Sequence, residues 1–235
     1  MSKALIVFAR EPVPGKVKTR LGRDIGYTPA ANLYSAMLED VLESVSLLKD
    51  VRPLLFWACD DAPIPLNPAF PLMESFKQHG ANLGLRMAHA FELAFESGCT
   101  ACCIIGTDSP DLPAEYIRQA FELLEGGGTD VVFGPARDGG YYLLGLRRAW
   151  PELFENIAWG TPQVLTTSVA RARELGVRTA FLPQWYDIDT QADLSRLLDS
   201  PGMNAPRTRE AAARLPKGGQ TPNPSPDNPL QENHP

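Results

Sequence analysis

The sequence predicts an α/β protein: a mainly parallel sheet with helices on both faces, in a three-layer αβα arrangement. Three observations carry this. Strand-like and helix-like segments alternate along the first 199 of the 235 residues. The run 101–106, ACCIIG, is apolar throughout, as befits a strand buried on both faces. Acids and cations cluster just past the strand ends, where open α/β sheets bind ligands.

The elements follow in order. Ala4–Ala9 is an apolar strand that breaks into a loop carrying Pro12, Pro14 and Gly15. A helix is expected from Pro29 to Leu48. Thr28 is its expected cap, Pro29 suits its first turn, and Leu33, Met37, Val41 and Val45 give it an apolar face. Arg52–Ala58 reads as a second strand, and the proline-rich Asp61–Pro71 as irregular. Gly84–Glu96 is helical, with Met87, Phe91 and Phe95 on one side. Ala101–Gly106 is the central strand, and Pro113–Leu124 a helix that stops at Gly126-Gly127-Gly128. Asp130–Gly134 and Tyr141–Leu146 are strands joined by the loop PARDGG. Pro162–Leu175 reads as a helix, Val177–Leu182 as a strand and Ala192–Leu198 as a closing helix. Residues 200–235 are rich in Pro, Asn, Gly and Gln and nearly free of large apolar side chains. They are expected to be a disordered tail behind one domain, 1–199.

Composition narrows the function. At 44% hydrophobic and 21% charged the chain is globular, and a net charge of −6 argues against a general nucleic-acid binder. The cations of the first loop are thus a local feature that favours a small anionic ligand. The N-terminus enters a strand directly, without a signal peptide, and Ala4–Ala9 is too short to span a membrane. Cys99 and Cys102 match CxxC in form. Cys102 and Cys103, in the run ACCIIG, read as buried small hydrophobes. With no second Cys or His pair at metal spacing the four cysteines suggest neither zinc nor redox chemistry, and a cytoplasmic, reduced protein is expected. The three histidines form no metal or triad spacing, and there is no GxSxG elbow.

Four places can carry chemistry. The first is the loop after the first strand, from Ala9 and Arg10 through Gly15, Lys16, Lys18 and Arg20, where cations can hold phosphate. The second is Asp108-Ser109-Pro110-Asp111, past the central strand. Asp108 is read as a ligand of Mg²⁺ or Mn²⁺, which take one or two protein carboxylates and complete their shell with water and phosphate. Asp111 reads equally as a second ligand or as the cap of the next helix. The third is Asp187-Ile188-Asp189-Thr190, whose two acids share a side in an extended segment; Asp189 or Thr190 can also cap the final helix. The fourth is Asp138-Gly139-Gly140, where glycines permit close approach to a ligand and Asp138 can bind a hydroxyl or act as base, or which simply forms a hairpin turn. Two weaker candidates are Arg86, at a helix N-terminus that can receive phosphate, and Trp159, which can stack on a ring or pack.

Taken together, FAREPVPGKVKTRLG, QHGANLGLRM, IIGTDSPDLP, GPARDGGYYLLGL, IAWGTPQV and YDIDTQADL resemble one bacterial family of glycosyltransferase-like proteins, long a domain of unknown function. Some of its members are named for arsenosugar biosynthesis. That family is in turn similar to the nucleotide-diphospho-sugar transferase superfamily of GT-A fold, which includes nucleotidyltransferases. The resemblance implies that Asp108 and Asp189 bind a divalent metal with Asp187 assisting, and that the partners are a nucleotide-activated donor and a small acceptor. It implies glycosyl transfer from a nucleoside diphosphate sugar, with nucleotidyl transfer or a non-catalytic nucleotide-binding module as alternatives. The first loop lacks the glycine-dense LxxGxSxRMG…K signature of nucleotidyltransferases. That shifts the expectation from a backbone cradle to neutralisation of phosphate by Lys16, Lys18 and Arg20.

Overall fold

Side-chain alternation across one sheet builds two cores. In strand β1 (Lys3–Arg10), Leu5, Val7 and Ala9 face one side while Ala4 and Ile6 face the other. Strands β2 (Val51–Ala58) and β4 (Ala101–Ile105) repeat the pattern: Leu55, Trp57, Cys103 and Ile105 join the first core, Leu54, Phe56, Cys102 and Ile104 the second. Helices α2 (Tyr27–Ser46) and α4 (Ala114–Glu125) cover the first face. Helices α3 (Leu83–Glu96) and α5 (Val164–Glu174) cover the other. The result is the expected three-layer αβα fold, seen in a computed structural model that describes residues 2–59, 64, 70, 73–200, 202 and 204–215.

The sheet has seven strands in the order β3-β2-β1-β4-β6-β5-β7, where β3 is Glu74–Lys77, β5 Val131–Pro135, β6 Tyr141–Leu146 and β7 Thr179–Phe181. All neighbours pair in parallel except β6, which runs antiparallel between β4 and β5. The reversal brings the start of β6 to the same edge as the carboxyl ends of β1 and β4. There the residues expected to be functional gather.

Several local expectations need correction. The first long helix begins at Tyr27, behind Gly26 at φ 91°, and Thr28 provides no side-chain cap. A short helix α1 (Thr19–Ile25) occupies what reads as loop. Its one apolar turn, Leu21 and Ile25, packs on α2 rather than on the sheet, so sequence periodicity over seven residues could not reveal it. Edge strand β3 was also unforeseen. It has four residues and is tied to β2 by a bidentate pair, Arg52 to Glu74, both contacts 2.7 Å. Most of Asp61–Pro71 lies outside the described residues.

The tail expectation fails over residues 204–215, where a helix α7 (Pro206–Ala213) docks beside α2. Its anchor combines apolar contact through Ala212 with an electrostatic cap. The carboxylate of Asp40, buried on α2, accepts from Thr208 N and Thr208 Oγ1, both at 2.7 Å, and from Arg207 N at 3.2 Å. Arg207 also pairs with Glu43. One internal acid thus caps the N-terminus of a helix more than 160 residues away in sequence, and composition gave no sign of it. Residues 216–235 lie outside the described residues.

Removing that cap leaves a buried backbone N–H and the fully buried Thr208 hydroxyl without an acceptor. Asp40→Ala is expected to cost about 2–3 kcal/mol, read as a lower urea midpoint at unchanged slope. An unchanged midpoint would show that α7 does not depend on Asp40.

Candidate functional site

At the carboxyl edge of the sheet lies a cleft of about 580 Å³. Its walls come from the end of β1 (Phe8 to Arg10), loop residues 16–20, Tyr34 on α2, Gln78 after β3, the first turn of α3, the end of β4 through Asp108, the start of β6, and Asp189. Loops placed at strand ends by a rigid sheet are where α/β proteins bind ligands.

The cleft is organised around Lys18. Its side chain is only 2% exposed, and its Nζ lies 2.5 Å from Asp108 Oδ1 and 3.0 Å from Asp189 Oδ1. Burial works against its charge, but the two carboxylates outweigh burial and hold the ammonium firmly protonated, above the ordinary lysine range. The backbone at Lys18 is left-handed, φ 46° and ψ 44°, at the start of α1. A non-glycine residue seldom adopts that conformation, at a cost of about 1–2 kcal/mol. The turn directs Lys18 inward while Lys16 and Arg20 stay exposed, and Arg20 Nη1 reaches within 3.8 Å of Asp189 Oδ2. Desolvation raises the Asp108 carboxyl and Lys18 lowers it; the net direction is downward, with Arg10 contributing, so Asp108 is ionised.

The two acidic segments are joined to each other. Ile188 N donates to Asp108 O at 2.9 Å, and Ser109 Oγ lies 3.0 Å from Tyr186 O and 2.8 Å from Asp187 Oδ1. Asp111 settles its own ambiguity: it neither faces the cleft nor caps α4. It is buried and accepts from Tyr186 Oη at 2.5 Å and Trp185 Nε1 at 3.3 Å. It therefore anchors the segment that carries Asp187 and Asp189. Thr190, not Asp189, caps α6 (Gln191–Asp199) through a reciprocal box with Asp193, which leaves the Asp189 side chain free for Lys18.

The expected site residues separate into two groups. Ala9, Arg10, Lys16, Lys18, Arg20, Arg86, Asp108 and Asp189 all line the cleft. Gly15, Asp138, Gly139, Gly140, Trp159 and Asp187 do not. Asp138 is exposed on the β5–β6 turn, where its Oδ1 accepts from Gly140 N at 2.9 Å. The close approach that Gly139 permits is made by the protein itself: at φ 93°, a Cβ there would lie 2.1 Å from Pro162 O. Trp159 packs over Gly84, where a Cβ would meet its ring at 2.6 Å, and so supports the first turn of α3. Asp187 is partly buried behind Asp108; burial, then Asp108, pushes its carboxyl up to about 6.

Two cleft residues escaped sequence reasoning. Tyr34 accepts from Arg10 N at 3.0 Å and lies 2.8 Å from Thr107 Oγ1, so it ties the end of β1 to the loop after β4. A tyrosine on the apolar face of α2 was the available signal, since its hydroxyl must find a partner when buried. Gln78 donates through Nε2 to Phe56 O at 3.0 Å and Ala9 O at 3.4 Å.

The donor set suits a hard divalent cation. Asp108 and Asp189 offer oxygen only, are 51% and 40% exposed toward the cleft, and converge on one cationic atom, the Lys18 ammonium, which marks the locus. Among the described residues, no group of three or more His, Cys, Asp or Glu could hold a metal ion. An ion there would therefore complete its shell with water or ligand phosphate. No described helix is long and apolar enough to cross a membrane.

Comparison with known proteins agrees with this architecture. Residues 41–161 match the family described as an uncharacterized protein conserved in bacteria (DUF2064). The fold is similar to that of a protein from Desulfovibrio desulfuricans G20 with the provisional description of a nucleotide-diphospho-sugar transferase. Their identity is 30%, the match covers 90% of this chain and 94% of that one, and the TM-score is 0.79. More distant likenesses, which show the fold alone, include a 4-diphosphocytidyl-2C-methyl-D-erythritol synthase (13% identity, TM-score 0.56, covering 83% of this chain and 96% of that one). Another is a CMP:2-keto-3-deoxy-manno-octonic acid synthetase in complex with CTP (12% identity, TM-score 0.52, covering 84% and 97%). Among proteins of curated function, none matches the sequence.

The raised Asp187 carboxyl has a measurable consequence. Its folded value of about 6 exceeds the ordinary 3.8, so the folded chain binds this proton more tightly than the unfolded chain does. The stability it contributes is fully present below about pH 4 and is lost as pH rises through about 6. Asp187→Asn keeps an acceptor for Ser109 and removes the titration. With chelator present, its stability relative to the native protein is expected to rise between pH 4 and 6.5 and then level off. A flat difference in urea unfolding across that range would refute the shift.

Proposed function

The chain belongs to the DUF2064 family of bacterial proteins, and from that premise we propose that it is a transferase acting on a nucleotide-activated donor. The reading favoured here is transfer of a sugar from a nucleoside diphosphate sugar to a small acceptor. One observation carries it: cations for a diphosphate (Arg10, Lys16, Arg20) and an oxygen-only cation locus (Asp108 and Asp189) face the same cleft. The relative at 30% identity, described as a nucleotide-diphospho-sugar transferase, supports the choice of donor.

The chemistry asks little of the chain beyond charge and placement. An acceptor oxygen attacks the anomeric carbon of the donor sugar and the bond from that carbon to the diphosphate oxygen breaks. The bonding pair leaves with the nucleoside diphosphate, and the acceptor hydroxyl loses its proton to a base. Lys16 and Arg20, both exposed at the cleft, neutralise the departing diphosphate, and Arg10 contributes from the end of β1. Mg²⁺ or Mn²⁺ held by Asp108 and Asp189, with Asp187 behind them, would supply further stabilisation of the leaving charge. Asp138, the base or hydroxyl ligand expected from the sequence, lies on the β5–β6 turn set by Gly139 and Gly140, outside the cleft, with its Oδ1 accepting from Gly140 N, and is assigned no step. Gly15, at φ 79°, permits the turn in the cationic loop, and Arg86, in the first turn of α3, adds a cation to the cleft wall.

The test is a panel of UDP-, GDP- and dTDP-sugars against the nucleoside triphosphates, each with Mn²⁺, followed by thermal shift and by mass spectrometry of products. A sugar nucleotide at ~100 times its Kd should raise Tm by about 5 °C or more and release nucleoside diphosphate when an acceptor is present. Asp108→Asn should lower the turnover by at least about 100-fold. Pyrophosphate release from a triphosphate, with no response to sugar nucleotides, would replace this reading with nucleotidyl transfer. Binding without consumption of any nucleotide would make the chain a binding module.

A further inference from the structure

Lys18 differs from the other cations of its loop. Arg10, Lys16 and Arg20 are exposed, Arg20 reaching Asp189 only at 3.8 Å, whereas the Lys18 side chain is enclosed and its ammonium is already spent on two carboxylates. A left-handed backbone at Lys18 holds it there. The carboxylates themselves remain about half exposed to the cleft, so a second cation can reach them from the open side. The two cations would compete, because an ammonium 2.5 and 3.0 Å from one oxygen of each acid lies between them, where a divalent ion bridging both would have to sit, and repels it.

We propose that Lys18 is a placeholder: its ammonium and a divalent metal ion compete for Asp108 and Asp189, so metal enters the site only with a diphosphate that draws Lys18 away. This rests on the nucleotide reading given above and extends it to the order of loading. In the free protein the lysine offsets part of the repulsion between the two acids. When a diphosphate arrives, Lys18 gains an anionic partner and the acids gain the metal. Metal and diphosphate therefore bind with positive coupling, each raising the affinity for the other by the same factor. The device keeps Lys18 from serving as a phosphate ligand until the donor is in place.

The test is Mn²⁺ binding to the full chain, followed by electron paramagnetic resonance of free Mn²⁺, in native protein and Lys18→Met, without nucleotide. Lys18→Met should bind Mn²⁺ at least tenfold more tightly than the native chain, and adding Asp189→Asn should abolish that gain. Equal or weaker binding by Lys18→Met overturns the proposal. Should Lys18→Met fail to fold, the native chain alone decides: Mn²⁺ without nucleotide should leave its Tm unchanged, and a rise of several degrees with Mn²⁺ alone refutes competition. Failure of UDP, GDP and dTDP, each with Mn²⁺, to move the Tm of the native chain refutes the nucleotide reading. Lys18→Met binding Mn²⁺ no better than native refutes the placeholder alone.

Discussion

One ammonium between two carboxylates governs this edge of the molecule. Lys18 reaches Asp108 from the loop after β1 and Asp189 from the segment after β7, so it joins chain regions 90 and 171 residues away. Without that ammonium, Asp108 and Asp189 would face each other with only the exposed Arg10 and Arg20 to offset their charge. The surrounding structure keeps the arrangement in register. Asp108 O accepts from Ile188 N, Ser109 bridges to Asp187, and Asp111 holds the Trp185-Tyr186 pair from behind. The acids are placed by buried hydrogen bonds, while their reactive oxygens stay open to the cleft.

The packing beneath explains why the last third of the chain is needed. A small satellite core of Leu21, Ile25, Leu33, Met37, Ile188, Leu194 and Leu197 lies outside the two main layers, at the end of the sheet that carries the site. It joins α1, α2 and α6 to the Asp187–Asp189 segment. Helix α7 closes it through Ala212 and the Asp40 cap. The elements that position Lys18 and Asp189 are therefore stabilised together, away from the sheet itself.

Much of this was legible in sequence. Apolar runs marked six of the seven strands, β7 forming shorter than expected, because a buried strand in a largely parallel sheet is apolar on both faces. The cations and acids at strand ends identified the cleft, and eight of the expected residues line it. The failures share a physical origin. Helix α1, strand β3 and helix α7 are short and owe their place to tertiary partners: α1 packs on the neighbouring α2, β3 is tied to Arg52 and α7 is capped by Asp40. The inward turn of Lys18 could not be read either, since a left-handed lysine has no sequence signature. The role of Asp111 depended on Trp185 and Tyr186, 74 and 75 residues away. In Asp138-Gly139-Gly140, Gly139 does serve a close approach, but the approaching group is the backbone of Pro162.

Two consequences of the fold bear on the chemistry. The antiparallel strand β6 brings Tyr141 and Tyr142 to the cleft wall opposite the β1 loop, and Tyr34 ties β1 to β4 at its floor. The most direct measurement is an anomalous difference map from crystals grown with Mn²⁺ and a nucleoside diphosphate. The account predicts a manganese peak between Asp108 and Asp189, with the Lys18 ammonium moved onto the diphosphate. A nucleotide bound with Lys18 still bridging both acids, or bound outside this cleft, would contradict it.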